Sequence, residues 1–242
     1  IAPLLTDPVR VNRIEAARIV APLARKSLVA SGLASFERAQ AEFEAAQHVM
    51  GDLPGAHLNL AVAHAARGEL AQAETEYRTA LRLDPAFLPA RFNLAQLLHA
   101  AQRSAEAEAL LREGLVLAPE SGELHHSLGL LLNELGQGPA SADELVRATQ
   151  LLPDDGDKAL DAAFVLKAAG RVAECEQMLV HAAAAEPRSV AVLSAVAQHF
   201  ADREQWIRAL PYAEQLTRLL PVDPDVTAFV VYVRERASQT TR

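Results

Sequence analysis

Eight histidines, one cysteine and an acidic run near Asp154 are the side chains of this 242-residue chain that could do chemistry. His57 and His64 fall on similar faces of one helix, whereas His125 and His126 are adjacent and must diverge. His99 and His126 are the pair placed to approach each other, but two imidazoles fall short of a closed metal site. His57, His64 and His125 are expected to be packing residues, each with one ring nitrogen satisfied. The lone Cys175 excludes an internal disulfide framework and a cysteine-based zinc knuckle, and leaves the redox compartment undetermined. It is expected to be small and buried. Asp154, Asp155 and Asp157 fit a solvated turn leading into a helix start. No CxxCH, P-loop, GxGxxG or HExxH motif occurs, and no Ser, Thr or Cys sits in a recognisable base-bearing motif. These side chains call for no enzyme, no cofactor and no metal.

The composition points to architecture instead. Half of the chain is hydrophobic, enough for a substantial core, yet only 5% is aromatic. Alanine takes 49 of the 242 positions, which favours helices packed closely through small side chains. A net charge of −8 disfavours an overall basic nucleic-acid binder. No apolar run is long enough for a membrane span. The chain opens at Ile1 with neither an initiator methionine nor a signal peptide, which predicts a processed product or a piece of a longer one.

A fixed period organises the whole. Pro85, Pro119, Pro153, Pro187 and Pro221 stand 34 residues apart. They frame windows 54–87, 88–121, 122–155, 156–189 and 190–223. The first holds Leu60, Ala61, His64, Gly68, Ala73, Tyr77 and Ala80, and the second Leu94, Ala95, Leu98, Ala107, Leu111 and Gly114. The third holds Leu128, Gly129, Leu132, Gly136, Leu145 and Ala148; the fourth, Ala163, Leu166, Gly170, Cys175, Leu179 and Ala182. The fifth is loosest, with Ala197, Phe200 and Ala209 in place but Ala213 and Leu216 reversing the large–small order. Period and residue types together resemble the tetratricopeptide repeat, two antiparallel helices A and B per unit. That resemblance implies an all-α fold, a right-handed superhelix of the α–α solenoid kind.

The pattern has a packing rationale. Small residues at places 8, 20 and 27 of each window let neighbouring helices approach, and large ones at 7, 11 and 24 fill the space between crossing axes. A helix of about 13 residues is about 20 Å long, marginal alone and stable only when stacked.

The flanks depart from the frame. Window 20–53 keeps the helix-B residues Ala39, Phe43 and Ala46, but Lys26 and Ser27 replace an apolar–small pair and Gly51 replaces the proline. A degenerate unit is expected there, with a helix on an altered partner. Residues 1–19 resemble the second helix of a HEAT repeat through Asp7, Pro8, Arg13, Ala16 and Ala17, although Asn12 takes the usual valine position. Residues 224–242 read as a capping helix and tail, apolar at Val226, Phe229, Val230 and Val233.

In tetratricopeptide arrays the A helices line a concave face, and the resemblance carries this role to particular residues here. Place 6 holds Asn59, Asn93, Ser127, Asp161 and Ala195. Asparagine there resembles the ladder by which family members hold an extended peptide, because an amide offers both donor and acceptor to a backbone. Two such residues at about 1 kcal/mol per bond fall well short of the roughly 8 kcal/mol of a micromolar complex. Apolar contacts must add to them, from Leu58, Phe92, Leu130, Leu160 and Phe164. Gln96 and His126 complete the expected peptide-binding set. Chaperone-docking members carry Lys or Arg around their asparagines, whereas place 2 here holds Gly55, Pro89, Glu123, Asp157 and Ala191. Glu134, Asp161 and Asp202 add acid, with Lys167 opposing. A terminal carboxylate would meet like charge, so a neutral or basic partner is expected.

The sequence thus predicts a non-catalytic scaffold that binds a protein segment or extended peptide. A HEAT-like helix ahead of an Ala/Arg-rich array is also similar to the C-terminal part of certain bacterial multihaem c-type cytochromes. That resemblance implies a docking or assembly arm, in the periplasm, with any haem outside these residues; otherwise a cytoplasmic location is expected. A third alternative is the substrate-recruiting arm of an enzyme.

Overall fold

The computed structural model describes residues 2–20 and 30–240. Its described residues form one short 3-10 helix, Ala2–Thr6, and thirteen α-helices. The five windows each contain two. The A helices are α3 (Pro54–Ala66), α5 (Leu88–Ala100), α7 (Gly122–Glu134), α9 (Gly156–Ala168) and α11 (Val190–Asp202). The B helices are α4 (Leu70–Leu83), α6 (Ser104–Leu117), α8 (Gly138–Leu151), α10 (Val172–Ala185) and α12 (Trp206–Leu219). Before them lie α1 (Arg10–Val20) and α2 (Ala30–Val49), and after them α13 (Pro224–Thr240).

Local chemistry sets these boundaries. Ser121, Asp155 and Ser189 cap α7, α9 and α11, each side chain accepting from a backbone N–H in the first turn. Each A–B turn needs one left-handed residue. Gly68, Gly136 and Gly170 supply it, whereas the second and fifth repeats use Gln102 at φ 61° and Glu204 at φ 57°. After every B helix the C-cap residue is followed by one of the periodic prolines, which cannot extend the helix. Pro211 lies inside α12 and the helix runs through it.

The helices gather into two compact units, Ile1–Pro119 and Glu120–Arg242. In the first, α2 packs on α1, with Ala16 and Ala17 against Phe36, Ala39 and Phe43. Arg13 fixes the pair by donating twice to the Glu42 carboxylate, at 3.0 and 2.9 Å, and to the carbonyl of Asp7 at 2.7 Å. Within the degenerate window α2 thus rests on α1; Lys26 and Ser27 lie outside the described residues. In the second unit one core runs from Ala142 to Val233, through Leu166, Leu179, Phe200 and Leu216. On α13, Val230 and Val233 are buried against it. Small residues stand at the close approaches. A Cβ on Gly129 would meet Leu145 Cγ at 2.6 Å, and Ser141 Oγ donates to the Gly129 carbonyl at 2.7 Å. Each fully buried leucine of these cores contributes about 1.5–3 kcal/mol over an exposed one.

Candidate functional site

The A helices carry every residue of the expected binding set, and the two units hold separate parts of it. In the first unit, α3 presents Leu58 and Asn59, and α5 presents Phe92, Asn93 and Gln96. Gln96 is exposed and the other four are half-buried. Asn59 already has a partner inside the chain, its Nδ2 donating to Oε1 of the buried Gln47 at 2.9 Å, and Asn93 lies near enough to the Tyr77 hydroxyl to act on it. Burial pushes the Tyr77 phenol above its ordinary range, with Asn93 pulling the other way. Each amide keeps further donor and acceptor capacity for a ligand.

In the second unit, His126 on α7 and Asp161 on α9 meet directly, Nε2 to Oδ2 at 2.9 Å. One helical turn further along the same helices stand Leu130 and Phe164. Both are exposed, Phe164 by 55%. Ser127, between them on α7, is half-buried. Leu160 does not join this face. It is 9% exposed and belongs to the buried core of the second unit.

The acid on this side is less bare than the sequence suggested. Lys158 on α9 lies 2.5 Å from Asp155 and 3.5 Å from Glu123. Lys167 lies 3.7 Å from Asp202. Glu123 and Asp202 are therefore locally compensated, which narrows the acidic character of the wall to residues such as Asp157.

Each of the packing histidines has a ring nitrogen bonded. His57 Nδ1 is 2.6 Å from Glu76 Oε2 and its Nε2 is 3.0 Å from the Gly51 carbonyl. His125 repeats the carboxylate contact with Glu144 at 2.6 Å. His64 is 2.7 Å from Glu69, and His99 is 2.8 Å from the Ser104 hydroxyl. Among the described residues no group of three or more His, Cys, Asp or Glu side chains is arranged to hold a metal ion.

One cluster had no signal in the sequence. Cys175 Sγ lies 3.8 Å from His199 Nδ1, and His199 Nε2 lies 3.8 Å from Glu176 Oε1. The two line a cavity of about 90 Å³ together with Lys167, Val172, Asp202 and Arg203. Their order is that of nucleophile, base and carboxylate, yet the distances exceed the 2.6–3.2 Å such relays need. Burial pushes the Cys175 thiol up and the His199 imidazole down, so both stay neutral near pH 7. A 1% exposed thiol without thiolate character is a poor nucleophile. The pair packs the join between α10 and α11.

Comparison with known proteins agrees with this geometry. Residues 54–87 and 88–113 each match a family model described as the tetratricopeptide repeat. No curated protein sequence matches the chain significantly. Among solved structures, YrrB, "a TPR protein with an unusual peptide-binding site", has a TM-score of 0.54 at 20% identity, over 74% of this chain and 91% of that one. PilF of Pseudomonas aeruginosa has a TM-score of 0.59 at 22% identity, over 91% and 99%. Yeast Tom70 has a TM-score of 0.65 at 16% identity, over 97% of this chain and 48% of that one. Helix pairs of one length, turning on one place and closing on one proline, account for the match: the chain carries tetratricopeptide repeats, and its fold is that of the tetratricopeptide solenoids.

Proposed function

We propose that the chain is a non-catalytic interaction scaffold whose A-helix faces take a protein segment or extended peptide. Tetratricopeptide repeats generally mediate contacts between proteins, and YrrB, similar in fold, is described by its peptide-binding site. The observation that carries the reading is the pair Leu130 and Phe164. Both are large and apolar, exposed at the same place of successive repeats, and set beside the polar His126–Asp161 bond. An aromatic ring left half in water beside fixed polar groups is the usual make-up of a binding anchor. In the first unit, Leu58 and Phe92 would supply apolar contact, and Asn59, Asn93 and Gln96 the hydrogen bonds. A neutral or basic segment suits Asp157, an exposed acid that makes no ion pair among the described residues.

The test is a peptide selected from a display library against the whole chain, then titrated calorimetrically. Leu130→Ala/Phe164→Ala should weaken its binding by tenfold or more, and Asn59→Ala/Asn93→Ala by a smaller factor. Unchanged affinity in both double variants would move the interaction off the A helices and end this reading.

A further inference from the structure

The fourth residue of the A helix varies among the five repeats, Ala159 and Leu193 in the last two, and in the second it has a consequence for charge. In α3 and α7 it is a histidine bonded to a glutamate of the next helix, His57 to Glu76 and His125 to Glu144, each at 2.6 Å. In α5 it is Arg91, and the residue in the glutamate's place is Leu110. Arg91 is 4% exposed. Its Nη1 and Nη2 donate to the carbonyls of Leu110 and Pro85, at 2.7 and 2.6 Å, while its buried Nε has no partner. No carboxylate among the described residues makes an ion pair with it; Glu113 acts on it only through space. A buried cation bonded only to carbonyls, with Glu113 acting on it through space, is only partly compensated.

That charge lies along a groove of about 540 Å³ between α4, α5 and α6. Arg78 and Arg82 also line it, as do Leu81, Val116 and Leu117. Val116 is 82% exposed and Leu117 55%. Arg78 shares its charge with Glu74 and Glu106, whereas Arg82 makes no ion pair among the described residues. Glu113 is the single acid in the lining. In a chain of net charge −8, this is a local cationic strip with an apolar rim.

We propose that this groove, on the B-helix side of the first unit, docks an acidic amphipathic segment of a partner protein. Its carboxylates would meet Arg82 and the field of Arg91, and its apolar side chains would cover Val116 and Leu117. The charge selects an acidic partner, opposite in sign to the one expected on the A-helix side, so the two readings stand or fall separately. The apolar rim and Glu113 disfavour a bare polyanion such as a nucleic acid.

Leu110→Glu supplies the carboxylate that the first and third repeats possess, and Arg82→Glu reverses an exposed charge. The whole chain is titrated by fluorescence anisotropy with a labelled short peptide of Glu, Leu and Ala in helical register, and with its Lys-for-Glu counterpart. The acidic peptide should bind the more tightly, weaken as salt is added, and lose about tenfold or more in affinity on either substitution. Thermal melts confirm that each variant is folded; if Leu110→Glu is not, Arg82→Glu decides. Equal binding of the two peptides, full affinity in the folded variants, or displacement by duplex DNA as effective as by the unlabelled acidic peptide would overturn the proposal.

Discussion

His57 and Glu76 hold each other at 2.6 Å across the first helix pair, and His125 and Glu144 do the same two repeats later. The contact joins the fourth residue of helix A to helix B at a site about one-fifth exposed, where a charge-assisted bond is screened only in part. His57→Ala and Glu76→Ala should each cost about 1–2 kcal/mol, and the double variant less than their sum. Urea unfolding of the four proteins measures the coupling; strict additivity would mean the pair contributes nothing jointly.

The inter-helix turns make a second prediction. Gln102 and Glu204 stand at positive φ in the place where the other three repeats have glycine. An L-residue there carries about 1–2 kcal/mol of strain. Gln102→Gly and Glu204→Gly should therefore raise stability by up to about 1 kcal/mol, since glycine also gains entropy in the unfolded chain. Gly136→Ala should lower it by a similar amount. Thermal melts showing the opposite order would contradict the strain argument.

Two other glycines separate space from conformation. A methyl on Gly129 would press on Leu145 Cγ at 2.6 Å and on its backbone N at 3.2 Å, whereas one on Gly138 would meet nothing within 4 Å. Gly129→Ala should cost about 1–3 kcal/mol through overpacking, and Ala148→Leu a comparable amount. Gly138→Ala, in the first turn of α8, should be neutral or stabilise by up to about 1 kcal/mol. Chemical denaturation midpoints at constant m-value check both.

The acid response should come in two steps. Burial pushes the His199 imidazole below its ordinary 6.5; Glu176 and Asp202 oppose this and Lys167 and Arg203 add to it. The unfolded chain takes up a proton near pH 6.5 that the folded chain refuses, so stability is full above that pH and declines below it. Glu69 is held down at about 2, first by the hydrogen bond from Arg67 and then by His64. Its contribution is present above the ordinary 4.5 and is lost between there and about 2. His199→Leu should flatten the upper step alone; an unchanged melting profile between pH 7 and 5 would remove His199 as its source.

The repeat was legible in the sequence because its signals are local. The proline stride, the glycine in the turn and the alternation of small places such as Ala61 and Ala80 with leucines each act within one helix pair, and the ten helices of the windows start in one common phase. The site was legible only as a set of places. Asn59 and Asn93 sit where the frame puts them, but the partner of Asn59 comes from α2, whose window departs from the frame. Leu160, expected in the groove, is buried in the core of the second unit. The approach of His199 to Cys175 joins a small repeat place to a side chain outside the pattern, which nothing in the period announces. The lone charge of Arg91 became visible only once His57 and Glu76 were seen to be bonded, which shows what Leu110 has replaced.

The bond from Asn59 to Gln47 bears on how the first unit could tell one ligand from another. A visiting backbone that wanted the hydrogen already given to Gln47 would have to break a contact as good as the one it makes, an exchange close to isoenergetic. Discrimination would then fall to the hydrocarbon of Leu58 and Phe92, and the ligand's contour would matter more than its polar lettering.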